Sequence, residues 1–226
     1  MAARKASAVL VDMDGTLLDT APDMASAVNA LLVEERREPL RYEQIRPQVS
    51  HGSLAVVRLA FPQSEGEEFE RLRQRFLQRY RADLARQTRP FAGFDVVFTQ
   101  LAAHNIPWGI VTNKPAWLSE PLMQELALPY PPGCLLSGDS LPERKPHPRP
   151  LLVAAEQLGV PPADCLYLGD ARRDIDAARA AGMIALGAAF GYLGENDDPD
   201  SWGAEAWLQT PDELLQWVQL NGAERG

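Results

Sequence analysis

The sequence predicts an α/β fold, a doubly wound parallel (Rossmann-like) sheet with a helical bundle inserted after its first strand. Three observations lead to this prediction. The apolar run Ala8–Val11 ends in carboxylates and a glycine, as a strand buried on both faces does at its carboxyl edge. From Pro90 onward, helical and strand patterns alternate, which is typical of parallel sheets. Between these parts, residues 21–89 show only helical periodicity.

The stretch 21–89 is expected to form a helical cap domain. Pro22 opens its first helix, and charged residues fill the gaps between regularly spaced apolar positions, so each helix has one face to bury. The apolar positions of the three predicted helices are Ala25, Val28, Leu31 and Leu32, then Leu54, Val57 and Phe61, then Phe69, Leu72, Phe76, Tyr80 and Leu84. The predicted domains are therefore a core of residues 1–20 and 90–226 and a cap of residues 21–89.

The remaining elements alternate along the chain after residue 90. Helices are identified by three-to-four spacing and by a following glycine, and strands by short apolar runs that stop at polar residues. The predicted helices are 94–104, 115–126, 150–158, 174–181 and 211–220. The predicted strands are 108–111, 135–136, 165–168, 184–188 and 206–209.

Composition excludes several classes of function. The net charge of −9 argues against a nucleic-acid-binding protein, which needs a basic surface, but allows a small anionic substrate. The apolar run after Lys5 is too short for a signal peptide, and no stretch is long enough to span a membrane, so we expect a cytoplasmic protein. Cys134 and Cys165 are expected to be buried, reduced thiols. The sequence is compatible with a monomer and leaves the oligomeric state open.

Polar residues follow the predicted strands at points that a parallel sheet would bring to one edge, where ligands bind in such folds. Each has an ordinary explanation alone: Thr112 and Asn113 could cap the next helix, and Lys145 could be a solvated loop charge. Together they indicate a catalytic site. The set is Asp12, Asp14, Thr112, Asn113, Lys145, Asp170 and Asp174.

In this order and spacing, the chain resembles the haloacid dehalogenase superfamily of phosphotransferases. Asp12-x-Asp14-Gly-Thr matches the family's first motif, Thr112-Asn113 its second, and Lys145-Pro its third. Gly-Asp170-x-x-x-Asp174 matches the fourth motif. The insert resembles the family's helical cap, and the segment between Asn113 and Lys145 leaves no room for the other cap type.

The resemblance implies a role for each of these residues. Asp12 would be the nucleophile that forms an aspartyl-phosphate, and Asp14 would act as general acid and then base. For this dual role we expect other carboxylates to crowd Asp14. Lys145 would offset negative charge, and Thr112 and Asn113 would donate hydrogen bonds to the transferring phosphoryl group.

The resemblance also implies a Mg²⁺ cofactor, which prefers hard oxygen ligands. The Asp12 carboxylate, the Asp14 backbone carbonyl and the Asp170 carboxylate would hold the ion, and Asp174 would orient this shell. Asp14 also bears on the reaction type, because the dehalogenases of the superfamily lack this second aspartate. Its presence favours phosphoryl transfer.

The substrate is expected to be a small phosphomonoester. Arg46 and His51, with Ser50, are candidates for binding its carboxylate or hydroxyl groups, although either charged side chain could simply face solvent. The chain resembles the phosphoglycolate phosphatase group, and two stretches, 112–124 and 191–204, resemble phosphatases of N-acetylmuramic acid 6-phosphate. We rank that compound first and 2-phosphoglycolate second; a phosphomutase and a phospho-receiver signalling module are the remaining alternatives.

Overall fold

The computed structural model describes residues 5–195 and 197–220, so both ends of the predicted core domain lie outside the described residues. Its strands are β1 (Ala8–Val11), β2 (Leu18–Asp19), β3 (Arg89–Pro90), β4 (Trp108–Val111), β5 (Cys134–Leu136), β6 (Cys165–Gly169), β7 (Ile184–Ala188) and β8 (Ala206–Leu208). Its α-helices are α1 (Ala21–Glu34), α2 (Tyr42–Ile45), α3 (Gly52–Ala60), α4 (Gly66–Ala82), α5 (Phe94–Ala103), α6 (Ala116–Leu126), α7 (Arg149–Leu158) and α8 (Arg172–Ala180).

A parallel sheet of six strands forms the centre of the molecule, in the order β5-β4-β1-β6-β7-β8. β1 lies between β4 and β6, with Val9 opposite both Trp108 and Leu166. The predicted α/β fold is therefore confirmed. Because all six strands are parallel, the residues that follow them reach the same edge of the sheet.

Both faces of the sheet are covered, which explains why β1 is apolar at every position. Val9 and Val11 belong to one apolar cluster, which continues into the buried side chains of α1, α3 and α4. Ala8 and Leu10 belong to a second cluster formed with α7 and α8. The insert thus buries its apolar faces against the core, which fixes helices α1 to α4 beside the carboxyl edge of the sheet.

The helical insert, residues Ala21–Ala82, contains the three predicted helices and a short fourth one, α2. The division of the chain into core and cap domains stays a prediction. Sequence reasoning missed the antiparallel pair β2 and β3, which joins the two ends of the insert, because two-residue strands have no periodicity to detect. The predicted last helix is instead a 3₁₀ helix, Pro211–Trp217. No helix among the described residues combines the length and hydropathy that a membrane span requires.

Candidate active site

The loop after β1 places the two aspartates of the first motif. The sequence Asp-Met-Asp-Gly makes a tight turn in which Gly15 adopts a left-handed conformation, with φ of 79°. A Cβ atom on Gly15 would lie 2.2 Å from the Oδ2 atom of Asp170. Only glycine therefore lets this turn approach the loop after β6, which brings the first and fourth motifs together.

Lys145 lies at the centre of the buried acidic group. Its Nζ atom is 2.8 Å from Asp12 Oδ1 and 2.7 Å from Asp174 Oδ1, and its side chain is fully buried. The same atom lies 2.9 Å from the Val111 carbonyl oxygen and 2.6 Å from the Tyr167 hydroxyl oxygen. Buried ions require such pairing, so this lysine is fixed by charge and geometry.

The carboxylates of this group raise one another's proton affinity. Burial raises the pKa of Asp12, and the neighbouring Asp174 raises it further, against the opposing effect of Lys145. Burial, followed by the charges of Asp174 and Asp12, raises the pKa of Asp170 to about 7. The excess of negative charge therefore favours binding of a cation among these carboxylates.

The residues present fit a metal ion. Asp12, Asp170 and Asp174 can each direct one carboxylate oxygen to within 4.8 Å of the others, and all three are buried. The Oδ1 atom of Asp170 is buried and has no hydrogen-bond partner within the described residues. Hard oxygen donors in a compact acidic group are the ligands that Mg²⁺ prefers.

Asp14 lies outside this acidic group. Its carboxylate oxygens are 3.0 and 3.2 Å from the Nζ atom of Lys114, and the Thr20 hydroxyl donates to Oδ1 at 2.7 Å. The prediction that other carboxylates crowd Asp14 is wrong, because its side chain contacts a lysine and a hydroxyl instead. Lys114 also donates to the hydroxyl of Tyr80 on α4, at 3.0 Å.

Lys114 is held in its charged form. Burial alone would lower its pKa, but Asp14 and Tyr80 outweigh this effect and raise the pKa above the ordinary value for lysine. The ammonium group also lies 4.6 Å from the centre of the Tyr80 ring, within the range of a cation–π contact. Lys114 thus connects the first motif to the helical insert.

Thr112 and Asn113 of the second motif line the same cavity as Asp12, but their side chains mostly make local hydrogen bonds. The side-chain amide of Asn113 donates to the Lys145 carbonyl at 2.9 Å and accepts from the Lys145 N–H at 3.1 Å. The Thr112 hydroxyl accepts from the N–H of Lys114 at 3.1 Å. Asn113 therefore positions the Lys145 backbone, and one amide hydrogen remains for a substrate oxygen.

The loop before α3 reaches across to the fourth motif. The Ser50 hydroxyl donates to Asp170 Oδ2 at 2.5 Å, and Arg173 donates to the Ser50 carbonyl at 2.6 Å. His51 lines the cavity beside these residues. Arg46 instead donates to the Phe190 carbonyl at 3.1 Å and lies over the Tyr192 ring, outside the set of residues that line the cavity.

A cavity of about 820 Å³ lies between the helical insert and the carboxyl edge of the sheet. The predicted residues Asp12, Asp14 and Lys145 line this cavity, together with Thr112 and Asn113. Insert residues form the opposite wall. The structure thus brings Asp12, Asp14 and Lys145 to one cavity that is large enough for a small metabolite.

Sequence reasoning gave no role to Lys114, Tyr80 or Arg173. Tyr80 was assigned to the helical core from its spacing, and the spacing is consistent with its burial. The sequence feature that could have identified Lys114 is its position directly after the second motif. Lysine is rare in this chain, and the other two are Lys5 and Lys145. The contacts of Lys114, Tyr80 and Arg173 join residues that are far apart in sequence, so local sequence patterns do not predict them.

Known proteins are similar to this chain over most of its length. A profile of the haloacid dehalogenase-like hydrolase family matches residues 9–188. A phosphoglycolate phosphatase of Xanthomonas campestris pv. campestris is 46% identical over 215 residues, 94% of this chain and 97% of that protein. An N-acetylmuramic acid 6-phosphate phosphatase of Pseudomonas putida is 40% identical over 212 residues, 93% of this chain and 95% of that protein.

A solved structure supports the fold. The crystal structure of a predicted phosphoglycolate phosphatase from Haemophilus somnus 129pt superimposes with a TM-score of 0.83 at 24% identity, covering 94% of this chain and 98% of that one. The family match extends over both the first and the fourth motif, which the structure brings together at Gly15. The chain therefore belongs to the haloacid dehalogenase-like hydrolases and is a phosphoric monoester hydrolase.

Proposed function

We propose that the protein is a Mg²⁺-dependent phosphatase that hydrolyses a small phosphomonoester through an aspartyl-phosphate. One observation carries this proposal: the buried carboxylate of Asp12, paired with Lys145, lines the cavity at the carboxyl edge of the sheet. A nucleophile at the end of a rigid strand can be held in line with a bound phosphoryl group.

In the first step, an oxygen of Asp12 attacks phosphorus, and the bond between phosphorus and the ester oxygen breaks. Asp14, two residues further on and lining the same cavity, gives its proton to the departing alkoxide. Lys145 lies 2.8 Å from the nucleophile and neutralises charge that the phosphate brings to the site.

In the second step, water replaces the alcohol. Asp14 takes a proton from the water, whose oxygen attacks phosphorus, and the bond between phosphorus and Asp12 breaks to release inorganic phosphate. Lys114 lies 3.0 Å from Asp14 and holds the carboxylate that accepts this proton in position. Thr112 and Asn113 lie beside the nucleophile, where a remaining amide hydrogen of Asn113 can contact the phosphoryl oxygens.

Asp12 and Asp170 would hold Mg²⁺, with the Asp14 carbonyl and with Asp174 orienting these ligands. The bound ion supplies charge neutralisation on phosphate oxygens. The helical insert would act as a cap that excludes water, since it forms one wall of the cavity. The Ser50 hydroxyl, which donates to Asp170, would link the position of this wall to the acidic group.

N-acetylmuramic acid 6-phosphate is the substrate that we propose first, with a role in cell-wall recycling. The cavity of about 820 Å³ supports a substrate of this size, and the 40% identical relative from Pseudomonas putida carries this activity in its name. 2-Phosphoglycolate is the second candidate, favoured by the 46% identical relative from Xanthomonas campestris pv. campestris.

Release of inorganic phosphate from a panel of phosphomonoesters, with Mg²⁺ and with EDTA, tests the proposal. We expect turnover that requires Mg²⁺ and is fastest with N-acetylmuramic acid 6-phosphate. Faster turnover of 2-phosphoglycolate would reverse the ranking. A requirement for a bisphosphate activator, with no phosphate released, would indicate a mutase, and a single slow phosphorylation without turnover would indicate a receiver module.

A further inference from the structure

The wall of the cavity carries exposed apolar side chains from both parts of the molecule. Trp117, near the start of α6 in the core, is 47% exposed, and Leu54 on α3 is 58% exposed. Both line the cavity that contains Asp12. Single exposed apolar residues are common, but two that meet one catalytic cavity from opposite sides make an apolar surface for a ligand.

The lining of this cavity also includes a cation, Arg144, that has no side-chain partner among the described residues. Arg73 lines the cavity but is bound by both carboxylate oxygens of Glu70, at 2.7 and 2.8 Å. Arg173 donates to the Ser50 carbonyl at 2.6 Å. The exposed guanidinium of Arg144 makes no hydrogen bond or ion pair within the described residues, and it also lines the cavity.

Arg144 is positioned to bind a second anionic group on the substrate. It directly precedes Lys145, whose ammonium group contacts the nucleophile, so the two cations project from adjacent positions of one loop. A guanidinium with free N–H groups binds a carboxylate through two parallel hydrogen bonds. A ligand whose phosphate lies at Asp12 can therefore present a carboxylate to Arg144.

We propose that Trp117 and Arg144 bind the part of the substrate that does not react, and that this part is a sugar bearing a carboxylate. The indole face would pack on the C–H face of the sugar ring, and Arg144 would pair with the carboxylate. This inference rests on the proposed phosphatase function and assigns substrate recognition to the core side of the cavity. A two-carbon acid has no ring to cover Trp117.

The test measures binding separately from catalysis. All variants are made in the Asp12→Asn background, and the dissociation constant for N-acetylmuramic acid 6-phosphate is measured by calorimetry with Mg²⁺. We expect Trp117→Ala to weaken binding about five- to tenfold and Arg144→Met to weaken it about tenfold or more. The matched controls are Tyr130→Ala and Arg149→Met, exposed residues that do not line this cavity and should change binding less than about twofold.

A second ligand separates the two residues. N-acetylglucosamine 6-phosphate has the same ring and acetamido group but lacks the lactyl carboxylate. Trp117→Ala should weaken its binding as well, whereas Arg144→Met should leave it within about twofold. Circular dichroism of each variant, together with a Trp117→Phe variant that keeps an aromatic face and should bind normally, identifies any loss caused by misfolding.

The outcomes distinguish the inference from the function on which it rests. Binding of N-acetylmuramic acid 6-phosphate that stays within about twofold in both variants overturns the inference, whatever the wild type hydrolyses. Hydrolysis of 2-phosphoglycolate by the wild type, with no binding of either sugar phosphate, overturns it and leaves the phosphatase function intact. The expected losses of binding in a protein whose wild type releases no phosphate support the inference and refute the proposed function.

Discussion

Each aspartate of the first motif is paired with a lysine, but the two pairs lie in different environments. Asp12 and Lys145 are buried among carboxylates, with side-chain exposures of 4% and 0%. Asp14 is 17% exposed, and its partner Lys114 reaches toward the helical insert at Tyr80. The Asp12 pair belongs entirely to the core, whereas the Asp14 pair depends on both core and insert.

The two pairs therefore differ in whether the helical insert contributes to their surroundings. The Asp12 pair is held by β1, β6 and the loop of Lys145, and no insert residue among the described ones hydrogen-bonds to it. The Asp14 pair shares Lys114 with a residue of α4, so movement of the insert would change the surroundings of Asp14. We infer that binding of substrate beneath the insert is coupled to the proton-transfer step.

The largest expected effect comes from Asp12→Asn. The amide is too weak a nucleophile to form the acyl-phosphate, so turnover should fall at least about a thousandfold. Phosphate release under saturating substrate measures this loss. Asp95→Asn on the exposed face of α5 is the control and should keep full activity. Substantial turnover by Asp12→Asn would contradict the assignment of the nucleophile.

Lys145→Met should produce the largest loss of stability. The change leaves Asp12 and Asp174 buried without their shared cation, so the free energy of unfolding in EDTA should fall by about 3–5 kcal/mol. Urea denaturation measures it, with Lys5→Met as the matched surface control. Added Mg²⁺ should restore part of the loss by replacing the missing positive charge. A stability equal to that of the wild type would show that the pair contributes no net free energy.

Asp170→Asn tests the electrostatics of the buried carboxylates. Burial and the charges of Asp174 and Asp12 raise the pKa of Asp170 from 3.8 to about 7 in the folded protein. The carboxyl therefore contributes stability below pH 4, and this contribution is lost as the pH rises through about 7. Without metal, the variant should gain stability relative to wild type between pH 4 and pH 8, by up to about 4 kcal/mol.

Denaturation at a series of pH values in EDTA measures this gain. Asp176→Asn, which removes a carboxylate that is 42% exposed on the neighbouring helix α8, is the control. A pH-independent difference for Asp170→Asn would mean that the carboxyl is not destabilised by its neighbours.

The fold and the meeting of Asp12 with Lys145 could be predicted from local pattern. β1 is apolar at all four positions because it is buried on both faces, and the residue types that follow it are those that the chemistry needs. Strand ends that are distant in sequence meet because a parallel sheet brings them to one edge. Asp12, Lys145, Asp170 and Asp174 were therefore predictable as a group.

The Asp14 pair was not predictable, because its partners come from unrelated positions. Tyr80 has the spacing of a core residue on α4, and nothing in that spacing indicates that its hydroxyl meets Lys114. For the same reason, the pattern did not distinguish His51, which lines the cavity, from Arg46, which packs on Tyr192. Contacts between the insert and the core depend on how the elements dock, which periodicity does not encode.

Lys114→Met should have the smallest of these effects and is the sharpest test of the comparison. Loss of the cation at Asp14 should slow the water attack, lowering kcat about 10- to 100-fold while Asp12 can still be phosphorylated. With p-nitrophenyl phosphate, rapid mixing should then show a burst of nitrophenolate. Tyr80→Phe keeps the ion pair and removes one hydrogen bond, so its loss should be only about two- to tenfold. Unchanged kcat in Lys114→Met would place Lys114 outside the reaction; a lower kcat without a burst would mean that it acts on the first step, where Asp14 must give up a proton.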